Sequence, residues 1–145
     1  MPSEQARRDT AAIRFIAELG ATMASANYPV TMVREVMAAT SRAYGIETQL
    51  LALPNYVQVG SATGESLYIA NPDVNLRYDQ SFPLARLVAQ APAGSVSPED
   101  GLAELQRIRQ QPRRFPVWRA AIQLTASPDR RAVHDRSRDL VEDRR

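Results

Sequence analysis

Residues 48–69 read TQLLALPNYVQVGSATGESLYI, and this stretch decides the fold class. Short β-compatible segments alternate in it with two turn signals, Pro54-Asn55 and the glycine-bounded segment 60–64. The connections are too short for parallel crossovers, so the strands are predicted to pair in antiparallel fashion. Residues 76–78 follow a further turn signal and are a candidate fourth strand. The sequence therefore predicts a small antiparallel sheet of three to four strands.

Helical periodicity flanks this sheet on both sides. Before it, apolar residues spaced by three and four predict one helix from about residue 10 and a second over residues 29–45, which ends at a glycine suited to a left-handed cap. After it, three helices are predicted to begin near Pro83, Ser97 and Phe115. We expect an α+β fold with two helices, the sheet and three helices, in a layered arrangement. The expected core residues are Ile16, Leu19, Val33, Met37, Val57, Leu105 and Ile108.

The chain divides into three regions by composition. Residues 1–9 are predicted to be a disordered N-terminal tail, and residues 10–126 the folded domain. Residues 127–145 are predicted to be a charged C-terminal tail, because mixed charges with few apolar residues cannot offset the entropy of ordering the chain.

Charge is distributed unevenly along the chain. Residues 1–112 carry nine arginines against eleven acids, whereas residues 113–145 carry nine against five, and there is no lysine. The body is therefore slightly acidic, which argues against nucleic-acid binding. Tyr56, Tyr68 and Tyr78 lack interleaved basic residues, so they are predicted to be packing aromatics and not a base-stacking platform.

Two further features bear on location. No run approaches the ~20 apolar residues that cross a bilayer. The N terminus lacks the apolar run of a signal peptide. As written, the sequence is expected to be a soluble cytoplasmic protein.

Catalytic groups are scarce. Cysteine is absent, His134 is the single histidine and lies in the charged tail, and no cluster of acids and histidine has metal-ligand spacing. Segment 60–64 resembles a nucleophile elbow only superficially, because its serine is misplaced and strands flank it on both sides. We therefore expect no catalytic residue, no metal and no cofactor.

One candidate ligand site consists of Asp73, Arg77 and Asp79. These residues are predicted to lie near the end of the sheet, where they would form a small polar site. The alternative is that they are exposed charges of an edge strand, which guard it against aggregation.

A candidate contact surface consists of Arg113, Arg114 and Trp118, at the start of the last predicted helix. Two arginines beside an amphipathic aromatic suit the headgroup level of a membrane, or a partner protein. Taken alone, they are equally typical of a solvated charge pair and a core tryptophan.

Three segments in order resemble the N-terminal domain of the threonine/serine exporter family. Residues 19–46 contain a Leu-Gly pair, a small-residue break and a helix ending in Tyr-Gly-Ile. The meander over residues 49–69 follows. The third segment is SPEDGLAELQRI at 97–108 with FPVW at 115–118. The resemblance covers roughly residues 10–126. Its motifs are moderately specific when they occur together in this order and weak when each is taken alone.

The resemblance implies a function. In this family the soluble domain precedes a bundle of transmembrane helices, which exports small hydroxylated amino acids across the plasma membrane. It implies a non-catalytic accessory or regulatory domain, whose partner is a membrane transporter subunit or the exporter's transmembrane domain, with a homodimer as a further option. After Leu124 the chain becomes arginine-rich where relatives turn apolar, so it is expected not to transport by itself. The alternatives are a small hydrolase and a self-associating module.

Overall fold

Four helices and three strands follow one another within residues 1–72 and 76–112, the part of the chain that the computed structural model describes. In order, they are α1 (Glu4–Ser25), α2 (Val30–Ala43), β1 (Thr48–Leu53), β2 (Tyr56–Ser61), β3 (Leu67–Ala70), α3 (Tyr78–Gln90) and α4 (Pro98–Gln110). The α+β class predicted from the sequence is confirmed. The helix predicted from Phe115 lies outside the described residues.

The strands form an antiparallel meander in the order β1–β2–β3, as predicted. Leu50 pairs with Val59, which pairs in turn with Tyr68, and these three side chains share the inner face of the sheet. Segment 60–64 lies in the β2–β3 hairpin, with Gly64 at a φ of 77°. It is therefore a strand-to-strand turn and not an elbow leading into a helix.

The outer face of the sheet exposes apolar side chains. Successive residues of a strand point to opposite faces, so the neighbours of the inner residues point outward. Leu51 and Leu53 of β1 are 45% and 46% exposed, and Leu67 and Ile69 of β3 are 60% and 47% exposed. The sheet is thus buried on one face, and its other face exposes four large apolar side chains.

Helix α1 is the central element, because it packs on α2, β2, β3 and α4. Phe15, Ile16 and Leu19 are completely buried. A helix covered on several sides is apolar over most of its circumference, which explains why its buried residues exceed a single stripe. The seven predicted core residues are all buried.

Helix α1 begins at Glu4 and not near residue 10. The hydroxyl of Ser3 accepts a hydrogen bond from the backbone N–H of Ala6 at 3.2 Å, and Glu4 lies in the first turn, where a negative charge favours the helix. Residues 4–9 of the predicted tail are therefore helical, although their side chains are mostly exposed. The sequence misses this boundary because a solvated first turn carries no apolar stripe.

Helix α2 ends as the sequence predicts. Gly45 has a φ of 66°, and the N–H of Ile46 donates to the carbonyl of Ser41 at 3.1 Å, which is the hydrogen bond of a glycine-terminated helix. The hydroxyl of Tyr44 donates to the carbonyl of Val96 at 2.8 Å. This bond ties the end of α2 to the segment that leads into α4.

The predicted fourth strand is wrong, because α3 begins at Tyr78. The side-chain oxygen of Gln80 accepts from the backbone N–H of Arg77 at 2.8 Å, and its Nε2 donates to the carbonyl of Ile108 in α4 at 2.7 Å. This buried amide closes the first turn of α3 and joins it to α4. Local strand propensity does not reveal such a long-range bond, so α3 also begins earlier than predicted.

Candidate functional site

Arg77 and Asp79, two residues of the predicted polar site, form an ion pair at the start of α3. Arg77 Nε lies 3.2 Å from Asp79 Oδ1, and Arg77 Nη2 donates to the carbonyl of Gln111 at 2.7 Å. The pair therefore fastens the start of α3 to the end of α4. For Arg77 and Asp79 the edge-strand interpretation is wrong, because these residues lie at the start of a helix. Asp73 lies outside the described residues.

The predicted contact residues Arg113, Arg114 and Trp118 lie outside the described residues, as does His134. Within residues 1–72 and 76–112, none of the helices combines the length and the apolar character that crossing a bilayer requires.

A groove of about 480 Å³ lies between α1 and α4. We call it the α1–α4 groove. Its lining includes two arginines, two carboxylates, a glutamine and three apolar side chains: Arg14, Glu18, Glu99, Leu102, Ala103, Leu105, Gln106 and Arg109. This volume is within the usual range of small-molecule sites.

The pair of Glu18 and Arg109 joins the two walls of the groove. Glu18 Oε2 lies 2.8 Å from Arg109 Nη1, and the two side chains are 18% and 42% exposed. Arg109 Nη2 also donates to the hydroxyl of Thr22 at 2.8 Å. Charge-assisted hydrogen bonds of this length are the strong class, and partial burial limits their screening by solvent.

Tyr68 of β3 extends this network to the sheet. Its hydroxyl donates to Glu18 Oε1 at 2.7 Å, and the guanidinium of Arg14 lies 5.8 Å from its ring centroid, a favourable cation–π distance. Burial first, and then the hydrogen bond to Glu18 and its charge, raise the pKa of Tyr68, while Arg14 opposes them. Glu18 thus links α1, α4 and β3 through its two carboxylate oxygens.

Glu99 supplies a second carboxylate at the other end of α4. It lies in the first turn, where the helix dipole stabilises a negative charge. Burial raises the pKa of nearby Tyr44 to about 12, with the charge of Glu99 as the second cause. The groove therefore has Glu99 near the start of α4 and Arg109 near its end.

Close approach of α4 to α1 depends on Gly101. A Cβ atom at this position would lie 2.5 Å from ring carbons of Phe15. Because glycine has no Cβ, α4 packs directly on the ring. This contact sets the spacing of the two helices that carry the groove.

The groove has the chemistry to bind a small zwitterion. A guanidinium binds a carboxylate with two parallel hydrogen bonds, which suits Arg14 and Arg109. A carboxylate binds an ammonium group, which suits Glu18 and Glu99. The apolar residues of the groove, such as Leu102, leave room for a short side chain.

Sequence reasoning misses this site because its two walls are far apart in the chain. Arg14, Glu18 and Thr22 follow one another at intervals of four, so a polar stripe on an apolar helix was visible. Glu99 and Arg109 similarly share a helix. Nothing local, however, indicates that the two stripes face each other.

Comparison with known proteins gives a family match. A family model described as a threonine/serine exporter (ThrE) matches residues 14–127. That range contains all the residues of the α1–α4 groove named above. Searches of curated proteins and of solved structures give no significant match.

Proposed function

The chain belongs to the threonine/serine exporter family, and from this premise we propose that its described part is an accessory domain that regulates amino-acid export by binding a free amino acid in the α1–α4 groove. The observation that carries the proposal is the placement of two arginines and two carboxylates around apolar residues in one groove. The proposed role is regulatory and non-catalytic, and the transport step belongs to a membrane partner.

The proposed ligand is a zwitterionic amino acid with a short hydroxylated side chain. Its α-carboxylate would bind Arg14, which is exposed at the groove, with Arg109 adding positive potential. Its α-ammonium would bind Glu99, with Glu18 adding negative potential. Glu18 and Arg109 already bind each other, so Arg14 and Glu99 are the groups expected to contact the ligand most directly.

The side chain of the ligand would meet one polar and one apolar residue. Gln106 offers both a donor and an acceptor to a hydroxyl, and Leu102 offers an apolar contact to the methyl of threonine. Regulation then requires that the amino acid bind one state of the exporter more tightly than another. The proposed ligand belongs to the class of amino acids that the family exports. Its binding would therefore let the exported substrate itself regulate export.

The hydrolase alternative gains no support from the described residues. Ser61 and Thr63, the hydroxyls of the glycine-bounded hairpin, hydrogen bond to each other at 3.1 Å. Ser61 ends β2 and Thr63 follows it in the turn to β3, and neither residue lines the α1–α4 groove. Histidine is the base that most often activates a serine nucleophile, and no histidine occurs among residues 1–72 and 76–112.

Titration calorimetry of the full chain tests the ligand. We expect heat on addition of threonine or serine, and about tenfold weaker binding of threonine amide or N-acetylthreonine, each of which lacks one charge. Arg14→Gln and Glu99→Gln should each weaken threonine binding by a similar factor. Arg34→Gln and Glu35→Gln, exposed charges of α2, are matched controls that should bind as the wild type does. No heat with either amino acid would refute the proposal.

Efflux measurements test the accessory role. Cells that produce a family exporter together with this chain should change their threonine efflux when threonine saturates the groove. The Arg14→Gln chain should remove that change without altering the amount of exporter. Equal efflux with wild-type and variant chains would show that the groove does not regulate export, and the domain would then serve only in assembly.

A further inference from the structure

The exposed face of α3 carries an unusual set of side chains. Residues spaced by three and four on a helix share one face. On α3 this face presents Tyr78, Phe82, Ala85, Arg86 and Ala89. Tyr78 and Phe82 are 82% and 67% exposed, and their rings meet edge to face with centroids 5.6 Å apart. We call these five residues the α3 aromatic stripe.

The opposite face of α3 already accounts for the packing of this helix. Its buried residues are Gln80, Leu84, Leu87 and Val88. The α3 aromatic stripe therefore contributes nothing to the described core. Exposing two large aromatic rings to water is unfavourable, and the packing of the described residues does not require it.

The stripe lies beside the point where the described chain ends. Arg77 immediately precedes Tyr78, and its guanidinium donates to the carbonyl of Gln111 at 2.7 Å. The described residues end one position later, at Pro112. Another 33 residues follow, from Arg113 to Arg145. Because an exporter acts in a membrane, the family assignment makes a bilayer the partner to test for this surface.

We propose that the α3 aromatic stripe rests on the headgroup region of a lipid bilayer that contains anionic lipids. Tyrosine has an apolar ring and a polar tip, which is the reason for its enrichment at membrane interfaces. Phe82 adds apolar area. The proposal rests on the proposed role at a membrane exporter, but it does not depend on the α1–α4 groove.

Charge on the stripe favours an anionic surface. Arg86 is its single charged residue, and Asp79, the nearest acid on α3, is paired with Arg77. A basic residue near the surface of an anionic bilayer is attracted to it. The outer face of the sheet is also apolar, but its exposed side chains are leucines and an isoleucine with neither aromatic–basic pairing nor a link to the exit. The two faces can therefore be compared directly in one experiment.

The absence of cysteine allows a site-specific probe in the full chain. Phe82→Cys and Leu67→Cys, both at exposed positions, are each labelled with an environment-sensitive fluorophore. The labelled chains are mixed with vesicles of equal parts phosphatidylcholine and phosphatidylglycerol, or of phosphatidylcholine alone. We expect a blue shift of the label at position 82, larger with the anionic vesicles, and little shift at position 67.

Vesicle sedimentation supplies the second measurement. Tyr78→Ser combined with Phe82→Ser should weaken binding to the anionic vesicles by roughly tenfold, because the interfacial aromatic contacts are lost. Leu67→Ser is the control and should bind as the wild type does. The basic residues beyond Pro112 are present in all these chains, so their contribution cancels in the comparison.

Several results would overturn the proposal. They are an unshifted label at position 82, a shift at position 67 as large as that at 82, and a double-serine variant that binds like the wild type. Equal shifts on both kinds of vesicle would refute the role given to Arg86. Threonine binding is measured without lipid, so failure of the groove and failure of the stripe are separate outcomes.

Discussion

Gly101 of α4 lies against the ring of Phe15 in α1 so closely that an added Cβ would be 2.5 Å from ring carbons. Gly101→Ala should therefore destabilise the domain. Overpacking costs about 1–3 kcal/mol, against about 1 kcal/mol gained in helix propensity. We expect a net loss in the free energy of unfolding by urea.

Gly60→Ala is the matched control for this substitution, because its Cβ would meet Leu67 at an ordinary 3.5 Å. In the Gly101→Ala background, Phe15→Leu should cost less than it does alone, because the smaller side chain relieves the clash. Additive effects would show that the two residues do not constrain each other.

Glu18→Gln should destabilise the domain by about 1–3 kcal/mol, because the carboxylate accepts from Tyr68 and pairs with Arg109 while largely buried. Glu4→Gln removes the partner of Arg8 in a pair whose side chains are 67% and 83% exposed, and should cost under about 0.5 kcal/mol. Chemical denaturation of both variants compares the two pairs. Equal losses would mean that burial does not strengthen the groove network.

Leu105→Ala should cost about 2–5 kcal/mol, because the side chain is 2% exposed and its loss leaves a cavity. The control is Leu67→Ala, at a side chain that is 60% exposed. Its effect should stay near 0.5 kcal/mol. A loss below about 1 kcal/mol for Leu105→Ala would mean that α4 contributes little to the core.

The raised pKa of Tyr44 predicts that the domain loses stability at high pH. Its pKa is raised to about 12 in the fold, so folding favours the neutral phenol. This contribution is complete below the unfolded value of about 10 and disappears as the pH rises through the folded value. The chain has no lysine or cysteine, whose side chains ordinarily titrate near this window. Tyr44→Phe should flatten the fall in unfolding free energy between these values, and an equally steep fall would contradict the assignment.

The sequence predicts the parts of the fold that local chemistry determines. The meander follows from short alternating segments with glycine and proline turns, and Gly45 ends α2 because it adopts a positive φ. The predicted core is buried because helical and strand periodicity mark one face of each element. These signals need no knowledge of distant residues.

The errors arise where a distant contact decides the structure. Residues 76–78 favour a strand locally, but Gln80 bonds to Ile108 and the segment enters a helix. Tyr78, predicted to pack, lies in the first turn of α3 and is 82% exposed. Glu18 and Arg109 read as ordinary surface charges until the fold places them 2.8 Å apart. The candidate site was therefore not predictable from the sequence, although each of its two stripes was visible.

The end of α4 connects the groove to the start of α3. Arg109 belongs to the groove, and Gln111, two positions later, accepts the hydrogen bond from Arg77 at the chain's exit. Gln111 is the C-cap of α4, where the backbone leaves the helical conformation with a ψ of 120°. A substitution that unwinds the last turn of α4 would therefore disturb two contacts at once, the pair of Arg109 with Glu18 and the bond that holds the start of α3.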